Sequence, residues 1–316
     1  MATLKVSNID TLEEKPVVGQ AIPSNEAGED QEPIPVIDFS LLTSGTPDQR
    51  LAVIGHGIDK DLMNDILDCC REFFDLEEEE KSEYKGKHML DPISYGASTD
   101  DPATAVLFRR NYLKVMVHPE FHSPSKPARF SKVLAEYSKA IRGVVRELLG
   151  GILESLGLES SYMDRAFNLE SGQMLSVANQ YPPCPQHELA MGLPPHTDPA
   201  LLTVLIQNGT DGLQVQHKGK WLNASIVPGD LFVNINDQLE IFTNGKYKSV
   251  IHRAIVNNRK TRLSIAMANG PSLDTIINPA PELLCSVSQP AAYAGMKYKD
   301  YLEIRECIRL VKRKRV

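Results

Sequence analysis

The sequence predicts a mostly β fold with helices: an all-β core, of the sandwich or jelly-roll kind, with helical cover at both ends. Three observations carry this. Apolar residues recur at helical spacing from Leu62 to about Leu156. After Gly172, short β-type runs follow one another, split by Gly, Pro and Asn turns. From Tyr298 the helical spacing returns. Many short strands at regular intervals suggest a sandwich or jelly roll.

Residues 1–32 are polar and acidic with scattered Pro and Gly, so a flexible N-terminal arm is expected there. Residues 33–165 read as a mostly helical region, shorter than it should be for reasons given below. It opens on an edge strand, Ile34-Pro-Val-Ile-Asp-Phe39. Asp59 can cap a helix whose Leu62, Met63, Ile66, Leu67, Cys70 and Phe74 share one face. A longer helix is predicted from Ser131 to Leu156, on Leu134, Tyr137, Ile141, Val145, Leu148 and Ile152. Residues 166–275 read as the β core. Its strands are expected at Gln173–Tyr181, Leu201–Gln207, Leu213–Gln216, Leu231–Ile235, Leu239–Thr243, Ser249–Val256 and Arg262–Ala268. Residues 276–316 form a C-terminal helical tail, with a helix from Tyr298 to about Leu310. Its basic end, Lys312-Arg-Lys-Arg315, suits the negative pole of a helix; nuclear targeting is the sharper alternative.

Composition narrows the function. The 316 residues are 42% hydrophobic, enough to bury a real core, and carry a net charge of −7, which argues against a general nucleic-acid binder. No apolar run reaches the length of a membrane span. The first residues lack a secretory h-region, and Asp10, Glu13 and Glu14 speak against a transit peptide. Five cysteines without C-x-x-C spacing suggest neither a disulfide framework nor a thiolate zinc site, so a reducing, cytoplasmic setting is expected.

Three clusters carry chemistry. In His196-Thr-Asp198 the two ligating types lie two residues apart, on one face of an extended chain, and His252 sits in a later strand-like run. Two histidines and a carboxylate match the facial triad of non-haem Fe(II) oxygenases, which leaves three metal positions open. Alone the pattern is weak: a strand histidine is more often a core or surface residue, and a zinc hydrolase would use the same ligands. Arg262 and Ser264 share a strand face, where a planar guanidinium can grip a small dicarboxylic acid. Asn179 and Tyr181 alternate onto one face before a rigid Pro-rich turn, or simply end a strand.

In order and spacing, Asn179-Gln-Tyr-Pro-Pro-Cys-Pro185, His196-Thr-Asp198, Asp211-Gly-Leu-Gln-Val215, His252 and Arg262-x-Ser264 resemble the plant 2-oxoglutarate/Fe(II)-dependent dioxygenases. This branch includes flavanone 3-hydroxylase, anthocyanidin synthase and codeine O-demethylase. The resemblance covers about residues 33–305. It implies a distorted jelly roll (double-stranded β-helix). It also implies Fe(II) at His196, Asp198 and His252, and 2-oxoglutarate held by Arg262 and Ser264 with Tyr181 and Asn179 assisting. Ascorbate is implied as reductant, O₂ and a small molecule as substrates, and a monomer as the working form. Hydroxylation, desaturation or demethylation of an apolar or aromatic metabolite or hormone, with release of succinate and CO₂, is the implied activity. Tyr95, Phe108, Tyr112, Leu113, Met116 and Ala268 are the substrate-contact candidates, although each could equally be core.

The chain departs from the pattern in places. Only a short stretch separates Ser40 from Gly55, where relatives carry a helix and then a buried strand; Leu51-Ala-Val-Ile-Gly-His-Gly57 remains of the latter. Loss of that helix should uncover apolar sheet and lower stability. Asn236 stands where Gly is more usual, Arg109-Arg110-Asn111 where relatives read Trp-Arg-Asp, and Ala268 where flavonoid-oxidising relatives often have a ring. Two other readings compete: an inactive truncated homologue that only binds, and an oxidase of the same fold that does not use 2-oxoglutarate.

Overall fold

The structure, a computed structural model, describes residues 36–38, 51–86, 90–98, 107–159, 161–284 and 290–314. The arm expected over 1–32 and most of the short stretch after Ser40 lie outside the described residues.

The helices are α1 (Lys60–Asp75), α2 (Glu78–Lys81), α3 (Phe130–Ser155), α4 (Tyr162–Phe167), α5 (Asp237–Phe242) and α6 (Tyr298–Lys314). In the first half the strands are β1 (Val36–Asp38), β2 (Leu51–Ile54), β3 (Ile93–Ala97), β4 (Leu107–Phe108), β5 (Asn111–His118), β6 (Met174–Tyr181) and β7 (Ala190–His196). In the second half they are β8 (Leu202–Gln207), β9 (Leu213–His217), β10 (Lys220–Asn223), β11 (Leu231–Ile235), β12 (His252–Ile255), β13 (Arg262–Asn269), β14 (Ile276–Ile277) and β15 (Met296–Lys297).

Two sheets form the jelly roll. The larger has eight strands in the order β1-β2-β11-β8-β13-β6-β5-β3, and the smaller has five, β10-β9-β12-β7-β4. The opening strand β1 sits at the edge of the large sheet, as expected, paired in parallel with β2. Asp59 caps α1 by accepting from the amide of Asp61 at 2.8 Å.

The pleat divides the large sheet chemically. Its outer residues, among them Leu113, Val115, Ala178, Ile206, Leu263, Ile265 and Met267, are buried in one core with Ile66, Phe73, Leu134, Tyr137 and Ile141 of α1 and α3. Its inner face looks toward the small sheet, where Leu205 and Phe232 pack with Leu213, Val215 and Val250. Cross-strand registers align the inner residues into rows. One row runs Tyr112, Asn179, Ser264, Gln207; another runs Met116, Leu175, Ala268, Thr203.

Several elements differ from the sequence expectation. Leu239–Thr243 is not a strand but lies almost wholly in α5. Leu239 and Phe242 stand three apart and both face the core, a spacing that suits a helical turn. Strands β3 and β5 occupy a stretch read as helical. In β5, Leu113, Val115 and Val117 alternate with half-buried residues, which is the period of a strand.

Candidate metal and co-substrate site

The two histidines meet because of strand register. His196 ends β7, His252 begins β12, and the two are direct partners across the antiparallel pair. Their rings lie 4.2 Å apart, centroid to centroid. Asp198, just past the end of β7, completes the cluster. Its Oδ1 is 3.7 Å from His196 Nε2 and 3.8 Å from His252 Nε2. One ligand atom from each residue falls within 4.8 Å of the others.

The tautomers follow from the backbone. His196 Nδ1 lies 2.8 Å from the Pro194 carbonyl, and His252 Nδ1 lies 3.0 Å from the Val250 carbonyl. A carbonyl only accepts, so each Nδ1 carries the proton and each Nε2 turns its lone pair toward Asp198. The separations are too long for hydrogen bonds and suit a shared cation. Right-angle ligands at ~2.1 Å from an ion stand roughly 3 Å apart, so closure of under about 1 Å brings Asp198 and each imidazole into range. Burial and the neighbouring His252 push the pKa of His196 down to about 3, keeping its ring neutral as a ligand must be. Burial opposes the charge on Asp198, but His252 and His196 outweigh it and hold its carboxyl below the usual range. The donor set and its protonation fit a divalent iron.

The second half of the site lies on the inner face of the large sheet. Arg262 is 1% exposed. Its Nε donates to Gln207 Oε1 at 3.1 Å and its Nη1 to Ser264 Oγ at 3.3 Å. Its guanidinium carbon lies 5.2 Å from the centre of the Tyr181 ring. Burial draws its pKa below the ordinary value, yet an arginine stays charged. No carboxylate among the described residues forms an ion pair with it. Arg262 Nη2 and Gln207 Nε2 are both buried without a hydrogen-bond partner. A buried cation beside two unmet donors is costly unless an anion joins them, and a carboxylate of a small keto acid fits that need.

Glycine lets the two sheets approach here. A Cβ on Gly192 of β7 would stand 2.4 Å from Tyr181 Cδ1, and one on Gly212 would stand 2.8 Å from Arg262 Cδ. The β7–β12 ladder is irregular at this point: between Met191 and His196 strand β7 carries two more residues than its partner.

All four expected co-substrate residues gather on the inner face. Asn179, paired in register with Ser264, accepts from Arg110 Nε at 2.7 Å. The substrate candidates divide. Tyr112, Met116 and Ala268 lie on the inner rows, and Phe108 is half-buried on β4 beside β7. Tyr95 and Leu113 are corrections: they pair on the outer face and are buried in the helix-side core, with the Tyr95 ring 5.8 Å from that of Phe73. Alternation along β3 and β5 turns them away from the inner face. Asn236 needs no glycine-like backbone, since its φ is −120°; its buried amide instead bonds the Thr203 hydroxyl at 2.8 Å.

Sequence reasoning missed Gln207 and Arg110. Gln207 ends a strand just before Asn208-Gly209, where it reads as an ordinary strand end, so no local signal marks it.

Comparisons with known proteins agree with this geometry. Residues 172–271 match the 2OG-Fe(II) oxygenase superfamily. Residues 50–136 match the family described as non-haem dioxygenase in morphine synthesis N-terminal. The chain is 42% identical over 290 residues to 2-oxoglutarate-dependent dioxygenase 19 of Oryza sativa subsp. japonica, covering 86% of each. It is 38% identical over 255 residues to flavanone 3-dioxygenase 2 of the same plant, covering 79% of this chain and 73% of the relative. Among solved structures it is similar to JOX2 in complex with 2OG, Fe and JA. The TM-score is 0.79 at 28% identity, over 93% of this chain and 92% of that one.

Proposed function

Since the chain belongs to the 2-oxoglutarate/Fe(II)-dependent dioxygenases, enzymes that use iron and 2-oxoglutarate, we propose that it oxidises a small apolar or aromatic metabolite or hormone at a C–H bond. His196, Asp198 and His252 hold the iron in this reading. Arg262, Ser264 and Gln207 hold the far carboxylate of 2-oxoglutarate, with Tyr181 stacked beside the guanidinium and Asn179 completing the wall. When bound, the iron supplies O₂ activation coupled to decarboxylation of 2-oxoglutarate to succinate and CO₂.

The chain's own residues do the rest. The two Nδ1–H groups fix the imidazoles on backbone carbonyls. Arg262 would hold one carboxylate of the keto acid through its guanidinium fork. Gly192 lacks the Cβ that would meet the Tyr181 ring, so the two sheets can approach there. The buried guanidinium of Arg262, with its Nη2 and the neighbouring Gln207 Nε2 unmet, is the observation that carries the reading.

The substrate class rests on weaker support. Tyr112, Met116, Leu175 and Val177 give the inner face of β5 and β6 apolar surface, beside Lys114 and Asn179. Relatives are named for flavanone oxidation, and JOX2 was crystallised with JA. Ala268 offers no ring for stacking, which favours a substrate less planar than a flavonoid. The test is turnover of purified protein with Fe(II), ascorbate and 2-oxoglutarate, read as succinate. A substrate panel read by mass spectrometry then identifies gain of oxygen or loss of hydrogen or methyl. Succinate above the level of a His252→Ala control supports the enzyme. No succinate with any panel member favours an inactive binding homologue, and product without added 2-oxoglutarate favours an oxidase.

A further inference from the structure

Helix α6 lies far from the metal ligands in sequence but reaches the turn that carries two of them. Its start is anchored by Tyr298 N donating to Thr275 O and Lys299 N to Leu273 O, both at 2.9 Å, and by buried Tyr298 and Leu302. From there Arg305 Nη2 donates to the carbonyl of Thr197 at 2.7 Å, and Nη1 donates to Thr197 Oγ1 at 3.0 Å. Thr197 is the residue between His196 and Asp198.

Arg305 Nη1 also pairs with Asp237 Oδ2. Asp237 is buried and joins four chain segments. Its Oδ2 accepts from Tyr301 OH at 2.8 Å and from Thr197 Oγ1 at 3.3 Å. Its Oδ1 accepts from Ser249 Oγ at 2.6 Å, three residues before His252. Its amide donates to the Asp198 carbonyl at 3.0 Å. Neither Asp237 nor Arg305 points at the metal, yet between them they touch the chain beside all three ligands.

We propose that Asp237 and Arg305 are positioning residues for the iron, so that the C-terminal helix is a working part of the metal site. This rests on the reading that His196, Asp198 and His252 bind the metal. A guanidinium that grips a backbone carbonyl and a carboxylate together fixes the turn through two directions at once. Loss of either partner frees the turn, and the ligands must be ordered again each time metal binds. Outer partners of metal ligands typically matter by about 10–100-fold in affinity.

The experiment titrates Co(II), which stands in for Fe(II) and reports its coordination in the visible spectrum, into the full-length metal-free protein. His252→Ala comes first: binding equal to wild type would sink the iron-site reading itself. Given a difference there, Arg305→Met and Asp237→Asn should each weaken Co(II) about 10–100-fold and alter its spectrum. The double variant should be no weaker than the worse single, because the two act as one unit. Arg305→Lys should fall in between. All are measured well below each variant's melting temperature, so a purely structural role would lower Tm and leave Co(II) affinity and spectrum as in wild type. That outcome overturns the proposal. Should Arg305→Met not fold, Tyr301→Phe removes a single hydrogen bond to Asp237, and unchanged Co(II) affinity there overturns it equally.

Discussion

Arg262 keeps a positive charge where water scarcely reaches, and most of what this site can bind follows from that. A lysine in its place keeps the charge but not the planar fork that meets Ser264, Gln207 and a carboxylate together. Loss of one charge-assisted hydrogen bond is worth ~1.5–3 kcal/mol, so Arg262→Lys should raise the KM for 2-oxoglutarate about 10–100-fold. Co(II) affinity should not change, since the metal ligands lie on the other sheet. His196 gives a pH prediction. Its pKa falls from 6.5 to about 3 on folding, chiefly through burial and His252. The unfolded chain therefore binds the proton first. The stability this group contributes is complete above about pH 6.5 and is lost as pH falls from there toward 3. Thermal melts of metal-free protein should show Tm dropping between pH 7 and 5, and His196→Asn should flatten that drop. At this scale the ligand types were legible, because R-x-S sets two residues on one strand face and H-x-D sets a carboxylate two residues after a histidine that ends a strand. Gln207 and Asp237 were not. Their roles depend on which strands become neighbours, and no local pattern encodes that.

Among the elements, α3 shows how differently two buried positions on one helix respond to change. Leu134 and Tyr137 are both fully buried. Leu134→Ala should cost about 2–5 kcal/mol, by lost transfer energy and a cavity. The Tyr137 hydroxyl is buried with no partner, so Tyr137→Phe removes an unmet polar group and should leave Tm unchanged or raise it. Chemical denaturation measures the first and a thermal melt the second. Helices α1 and α3 were readable within a residue or so, since long stretches repeat the helical period many times. Short elements were not. Leu239–Thr243 has too few residues to show a period, so its sequence alone reads as a strand; α5 forms because Leu239 and Phe242 reach the core from one side. Strand β5 did carry a legible alternation in Leu113, Val115 and Val117, but it was overshadowed by the helical patterns on both sides.

Over the whole molecule, the site joins segments that nothing in the chain keeps together when it unfolds. Metal and keto acid should therefore bind the folded state almost alone. Each ligand at about 100 times its Kd should add about 2.7 kcal/mol. The Tm with Co(II) and 2-oxoglutarate together should exceed that with either one, and a chelator should reverse the gain. The family and the jelly roll were legible from the combined motifs, whereas the division of the large sheet into a helix side and an inner side facing the small sheet emerged only with the registers. Strand β7 has a further consequence. Because it carries two residues more than β12 needs between Met191 and His196, the direction in which the imidazole faces depends on a count. Exchanging Pro195 for another residue alters a side chain; deleting it slips the strand by one position and sends the ring toward the opposite surface. At Leu193, Pro194 and Pro195 length is under tighter constraint than spelling: single deletions there should abolish metal uptake where single substitutions leave it largely intact.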